Sequence, residues 1–148
     1  MYLTSNIDDA INYSTSKGLK LIFVLGEKNK VLNNKASIQS VSLNKLLSKE
    51  LVTVTKKNRS RKVLEITSRI IESKSKEIVF VTDLEILFDR SLEVEPVRLL
   101  ETCAKHKTIM VLWPGDKTSS GLSYATPSHP EYRNYKASDL RDVIFLTI

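Results

Sequence analysis

The chain has few residues that break or staple a backbone. Its 148 residues include one cysteine, Cys103, two histidines, His106 and His129, four glycines and four prolines. A single cysteine excludes an internal disulfide framework and a cysteine-rich zinc site. Two histidines leave no basis for a dedicated His-based metal centre. No apolar run approaches the roughly 20 residues that cross a bilayer, and the opening MYLTSNIDDA lacks the basic-then-apolar plan of a signal peptide. Low-complexity linkers and internal repeats are also missing. Hydrophobic residues make up 41% and charged residues 27% of the chain, a globular composition. The expectation is one cytoplasmic domain over residues 1–148, with no membrane association.

The charge is unevenly spread. The formal net charge is +6, but residues 1–75 carry 14 basic and 6 acidic side chains while residues 76–148 carry 9 and 11. The densest basic stretch holds Lys56, Lys57, Arg59, Arg61 and Lys62. Such a patch attracts nucleic acid by releasing phosphate counterions, so these five are the candidate DNA contacts. The same stretch also reads as a solvated loop and first helical turn.

Hydrophobic patterning alternates between two kinds of element. Leu19–Leu25, Ile78–Thr82, Thr108–Leu112 and Val143–Thr147 are nearly continuous apolar runs, the pattern of strands buried on both faces of a parallel sheet. Ser37–Val41 is a weaker strand candidate. Between them lie helical periods: Ile7–Ser16, with Ser5 and Asp8 spaced as a capping box and Gly18 as its stop; Leu43, Leu46, Leu47 and Leu51; Arg61–Ser73; and a helix opened by Pro96. Trp113–His129 reads as a long loop. Ser128 and Glu131 are spaced to cap a short helix holding Tyr132, Arg133 and Tyr135, with Arg133 a phosphate or partner contact; the plainer reading is an exposed tyrosine-rich turn packed on the sheet. The predicted class is α/β, a parallel sheet in a three-layer αβα sandwich.

Ligands on such sheets bind beyond the carboxyl ends of the strands. After the first buried strand comes Gly26-Glu27-Lys28-Asn29-Lys30-Val31. A P-loop at that place wraps phosphates with backbone N–H groups and ends in Gly-Lys-Ser/Thr. Here the first glycine is present, Asn29 is a candidate for the left-handed position, and Lys30 stands for the phosphate lysine. Gly26, Lys28, Asn29 and Lys30 are therefore the nucleotide-binding candidates. The second glycine is missing, and Val31 offers no hydroxyl for magnesium. The ordinary alternative is a βα loop with surface lysines. Asp83, at the end of the Ile78–Thr82 strand, stands where a Walker-B carboxylate holds magnesium beside the phosphates; its other reading is a cap for Leu84–Phe88. Glu85 is the candidate for orienting an attacking water. Trp113 reads as packing, and Cys103 as core on its helix's apolar stripe.

Several segments stand in a fixed order: Leu43-Asn44-Lys45-Leu46-Leu47-Ser48-Lys49-Glu50-Leu51, Asp83-Leu84-Glu85-Ile86-Leu87-Phe88-Asp89, Pro96-Val97-Arg98-Leu99-Leu100, Trp113-Pro114-Gly115, and Tyr124 through Arg133 with its His129-Pro130-Glu131-Tyr132-Arg133 end. The series resembles the BrxF family, small P-loop proteins of type III BREX bacteriophage-exclusion systems, over roughly residues 18–148. The resemblance implies a P-loop NTPase-like fold, ATP and magnesium as cofactors, and a switch or assembly role. It implies partners among the other BREX proteins: a DNA methyltransferase, a PglZ-type phosphatase and a large ATPase. A neighbouring copy in a homo-oligomer would supply an arginine to the site. The chain departs from the family at Val31, which leaves a second reading: a nucleotide-free structural or DNA-contacting subunit on a decayed P-loop scaffold.

Overall fold

The computed structural model describes residues 1–33 and 37–148. In chain order the elements are β1 (Tyr2–Thr4), α1 (Ile7–Lys17), β2 (Leu21–Leu25), α2 (Lys28–Leu32), β3 (Ile38–Ser42), α3 (Leu43–Leu51), α4 (Lys56–Glu72) and β4 (Ile78–Thr82). Two 3-10 turns, Glu85–Phe88 and Arg90–Leu92, lead to α5 (Pro96–Cys103) and β5 (Thr108–Leu112). Then come β6 (Asp116–Thr118), β7 (Gly121–Tyr124), β8 (Arg133–Lys136), a 3-10 turn at Ala137–Leu140 and β9 (Ile144–Thr147).

Six strands form one parallel sheet in the order β1-β9-β2-β5-β4-β3. Every carboxyl end therefore lies on one edge and every amino end on the other. Side chains alternate between the faces, and both faces are apolar. Phe23, Val79, Val81, Ile109, Val111 and Phe145 pack against Leu47 of α3, Ile66 and Ile70 of α4, and Leu100 of α5. Ile22, Val24, Phe80, Met110, Ile144 and Leu146 pack on the other side with Ala10 of α1 and Val31 of α2. The result is the expected α/β sandwich, with the sheet as its middle layer.

Local chemistry explains most boundaries. Asn6 caps α1 by accepting from the Asp9 N–H at 2.9 Å, and Gly18 ends it at φ +67°. The cap is Asn6 and not Ser5, because β1 runs to Thr4 and the Thr4 hydroxyl accepts from Asn6 N–H at 3.2 Å. Pro96 opens α5 as expected, with the Glu95 carboxylate accepting from Arg98 N–H at 2.8 Å. Helix α4 begins at Lys56, five residues before the expected start, so most of the basic stretch lies on its first two turns.

Two expectations between Trp113 and Tyr135 are corrected. The loop-like stretch holds β6 and β7, and the expected helix at Tyr132–Tyr135 is strand β8. These three strands make a separate antiparallel sheet in the order β6-β7-β8. The residues Ser128–Glu131 instead make tight turns, with Tyr132 N–H donating to His129 C=O at 3.1 Å and Glu131 N–H to His129 Nδ1 at 3.0 Å. Strand geometry wins at β8 because it buries Tyr135 edge-on against Trp113, with ring centroids 5.8 Å apart, while Asn134 and Lys136 face water. Trp113 is a packing residue: it is buried against Phe23 and Phe88, and its indole N–H donates to Ser123 C=O at 3.0 Å.

Candidate functional site

The carboxyl edge gathers Gly26, Asp83 and Glu85 on one side of the sheet. Strand β2 ends at Leu25 and α2 begins at Lys28, so only Gly26 and Glu27 link them. Gly26 has φ +138°, a conformation that favours glycine, and a Cβ there would lie 1.6 Å from the Ile148 carbonyl oxygen. Ile148 N–H donates to Leu25 C=O at 3.0 Å, and Glu27 N–H donates to Ile148 C=O at 3.3 Å. The main chain of Ile148 thus fills the space beside Gly26.

Asn29 and Lys30 lie inside α2, and the left-handed place proposed for Asn29 is not taken: the non-glycine residues at positive φ are Asp83, Glu93 and Ala125 among the described residues. Lys28, Asn29 and Lys30 are exposed, and Val31 is fully buried. A triphosphate cradle needs a run of free N–H groups on a long loop and a helix whose summed dipole meets the phosphates. A two-residue link supplies no such loop. Glu27 adds a carboxylate at the start of a five-residue helix, and Ile148 presents an acceptor oxygen. These residues do not fit a wrapped triphosphate.

Asp83 is better organised. It sits at φ +56° directly after β4. Its Oδ2 accepts from Ser42 Oγ at 2.6 Å and from Thr82 Oγ1 at 3.2 Å. Its carbonyl accepts from Asn44 N–H at 3.0 Å, which starts α3. The register Ser42↔Thr82 at the ends of β3 and β4 brings these groups together. The alternative role, as side-chain cap of the 3-10 turn at Glu85–Phe88, is not the one taken: that turn has Leu84 at its cap position and no side-chain cap bond. Ser42 is the residue that sequence reasoning missed. It lies one position past the expected strand, and its partner comes from 41 residues away.

Glu85 is exposed at the start of its turn and faces Tyr124. Burial raises the Tyr124 phenol pKa, with the Glu131 and Glu85 charges adding to the effect. Tyr124 stacks on Phe88 at a centroid distance of 3.8 Å. β2 and β4 are separated by β5, so Gly26 and Asp83 stand two strand spacings apart, about 10 Å. Among the described residues, no three His, Cys, Asp or Glu side chains converge as a metal-binding group.

The basic stretch divides by function. Arg59 Nε donates to the carbonyls of Leu51 at 3.1 Å and Val54 at 3.0 Å, closing the end of α3. It is half-buried, with its Nε held by these two bonds. Arg61 bonds Asn58 Oδ1, and Lys62 pairs with Glu65 at 3.4 Å. Lys56 and Lys57 are exposed on the first turn of α4, where the positive end of the helix dipole disfavours cations. Among the described residues no helix is long and apolar enough to cross a membrane. Comparison of the chain with protein-family models, with curated proteins and with solved structures finds no match.

Proposed function

We propose that this chain is a nucleotide-free assembly subunit on a P-loop-like scaffold, working within a BREX-type bacteriophage-exclusion system beside that system's other proteins. One observation carries the loss of nucleotide binding: the two-residue link from β2 to α2, closed by the Ile148 main chain. The parallel sheet, with a carboxylate at the end of β4 two strands from the glycine at the end of β2, supports descent from a P-loop-like fold. The segment order quoted from the sequence supports the defence-system setting. Lys56, Lys57, Arg61 and Lys62 are the foremost DNA-contacting side chains in this reading, while the Nε of Arg59 also holds the end of α3.

The test is calorimetric titration of ATP with magnesium into the purified protein and into Lys30→Ala. No saturable binding by either is the expected outcome. Saturable binding lost in Lys30→Ala overturns the reading. A DNA-binding series over increasing salt, with Lys56, Lys57, Arg61 and Lys62 neutralised, tests the DNA contact; unchanged affinity in that variant removes it.

A second reading has its own support. Asp83 is held by Ser42 and Thr82 in a conformation that non-glycine residues rarely adopt, and such positions concentrate at functional sites. On this reading a neighbouring copy or partner supplies the phosphate contacts that α2 lacks, and ATP with magnesium binds only in the assembled complex. Magnesium-dependent ATP binding by the complex, abolished by Asp83→Ala, is its signature.

A further inference from the structure

A cavity lies at the opposite, amino edge of the sheet. Its volume is about 800 Å³, within the range of small-molecule sites. The chain entering β2, β5 and β9 forms one side of it, and α5 and β8 form the other. Five cationic side chains line it: Lys20, Arg98, Lys105, Arg133 and Arg141. They come from five separate segments, so the tertiary fold brings them together and no charge run does. Four of the five belong to residues 76–148, the half of the chain in which acidic residues outnumber basic ones.

The structure makes little use of these charges. Among the described residues, the side chains of Lys20, Arg98, Lys105 and Arg141 make no hydrogen bond or ion pair. The half-buried Arg133 reaches only the Val94 carbonyl, at 3.5 Å. Four carboxylates share the cavity, but two are already engaged. Glu95 caps α5 and accepts from Tyr135 Oη–H at 2.5 Å, and Asp139 accepts from Lys136 N–H at 2.9 Å. Glu101 and Asp142 remain. Burial raises the Glu101 pKa most, Glu95 and Asp142 add to it, and Arg98 opposes it. Five cations thus share the cavity with four carboxylates, two of which already accept hydrogen bonds from the protein.

We propose that this cavity binds a small oxyanion, a phosphate- or carboxylate-bearing molecule, with Arg98, Arg133 and Arg141 as its anchors. Planar guanidinium groups match the paired oxygens of both anions and bind them in forked geometry. Glu101 and Asp142 accept from a hydroxyl or amino group elsewhere on the ligand. The site is independent of the carboxyl edge and of the reading proposed for it.

The experiment titrates inorganic pyrophosphate and, separately, citrate into the wild-type protein at constant ionic strength, by calorimetry and by amide NMR. The same titrations are run on Arg98→Gln/Arg141→Gln. Both arginines are exposed and without side-chain bonds, so this variant keeps its fold, which its NMR spectrum checks. Expected are saturable binding of one probe, shifts centred on Asn134 and Ser138, and affinity about tenfold or more weaker in the variant. Pyrophosphate binding alone identifies a phosphate site, and citrate binding alone a carboxylate site. No saturable binding of either, or equal binding by the variant, overturns the proposal. ATP binding that survives Lys30→Ala but not the double variant belongs to this cavity and leaves the reading of the carboxyl edge intact.

Discussion

Ser42 and Asp83 meet across neighbouring strand ends, Oγ to Oδ2 at 2.6 Å, with Asp83 held at φ +56°. The hydroxyl that would ordinarily cap α3 is donated to this carboxylate instead, and the Asp83 carbonyl receives the Asn44 N–H. The pair therefore joins β3, β4 and the start of α3. Asp83→Asn keeps an acceptor and tolerates left-handed backbone, so its cost in urea unfolding is expected below about 1 kcal/mol. Asp83→Ala loses the acceptor and keeps the strain, for about 2 kcal/mol. Equal losses in the two variants would mean that the bond contributes nothing.

Two glycines separate steric exclusion from conformational preference. At Gly18, φ is +67° and nothing lies within 4 Å of an added Cβ. Gly18→Ala is expected to lose about 1 kcal/mol from backbone conformation alone. At Gly26 the added Cβ meets the Ile148 main chain. Gly26→Ala is expected to lose about 3 kcal/mol or more, because β2 and the last residues must move apart. Denaturant midpoints of the two variants check the ranking, and a reversal rejects the described packing of Ile148.

Cations on the first two turns of α4 have opposite expected effects. Arg59→Ala removes its bonds to the Leu51 and Val54 carbonyls, of which Leu51 keeps the Val54 N–H, and is expected to destabilise by about 1 kcal/mol. Lys57→Ala removes a positive charge from a helix start and is expected to be neutral or stabilising by a few tenths of a kcal/mol. Thermal unfolding at low and moderate salt distinguishes them, since screening weakens only the second effect.

Alkaline pH tests the packing of β8. Burial most of all, and then the bond to Glu95, raises the Tyr135 phenol pKa above its ordinary 10.0. The folded state holds this proton more tightly than the unfolded chain. The resulting stability is complete below pH 10 and is lost as pH rises above it. Stability measured from pH 8 to 11 is expected to fall less steeply in Tyr135→Phe than in the wild type. Parallel curves would show that Tyr135 is not the group responsible.

Legibility differed by element for physical reasons. The four apolar strands were readable because burial on both faces leaves no polar position, as in Leu21–Leu25 and Ile78–Thr82. Tyr2–Thr4 was missed because three residues cannot display a period. At Arg133–Lys136 a period of two was present, with Tyr135 buried between exposed neighbours. The capping-box spacing of Ser128 and Glu131 outweighed it, and local spacing cannot register a strand partner such as Leu122. The start of α4 was placed late because consecutive cations oppose the helix dipole there. The position of Asp83 at a strand end was readable from the apolar run before it. Its bond to Ser42, and the five cations of the amino-edge cavity, arise from contacts between segments that no local pattern encodes.

The place of β9 between β1 and β2 governs when the fold can close. Tyr2 pairs with Ile144 and Ile22 with that same residue, so β1 has no sheet partner until residues 144–147 have been made. Until then β2 is an unprotected apolar border, open to the strands of other chains. During synthesis the rest of the sandwich can collapse early, while β1 waits for β9 to join it to the sheet. A ribosome pausing before residue 144 would leave the β2 border uncovered for longer.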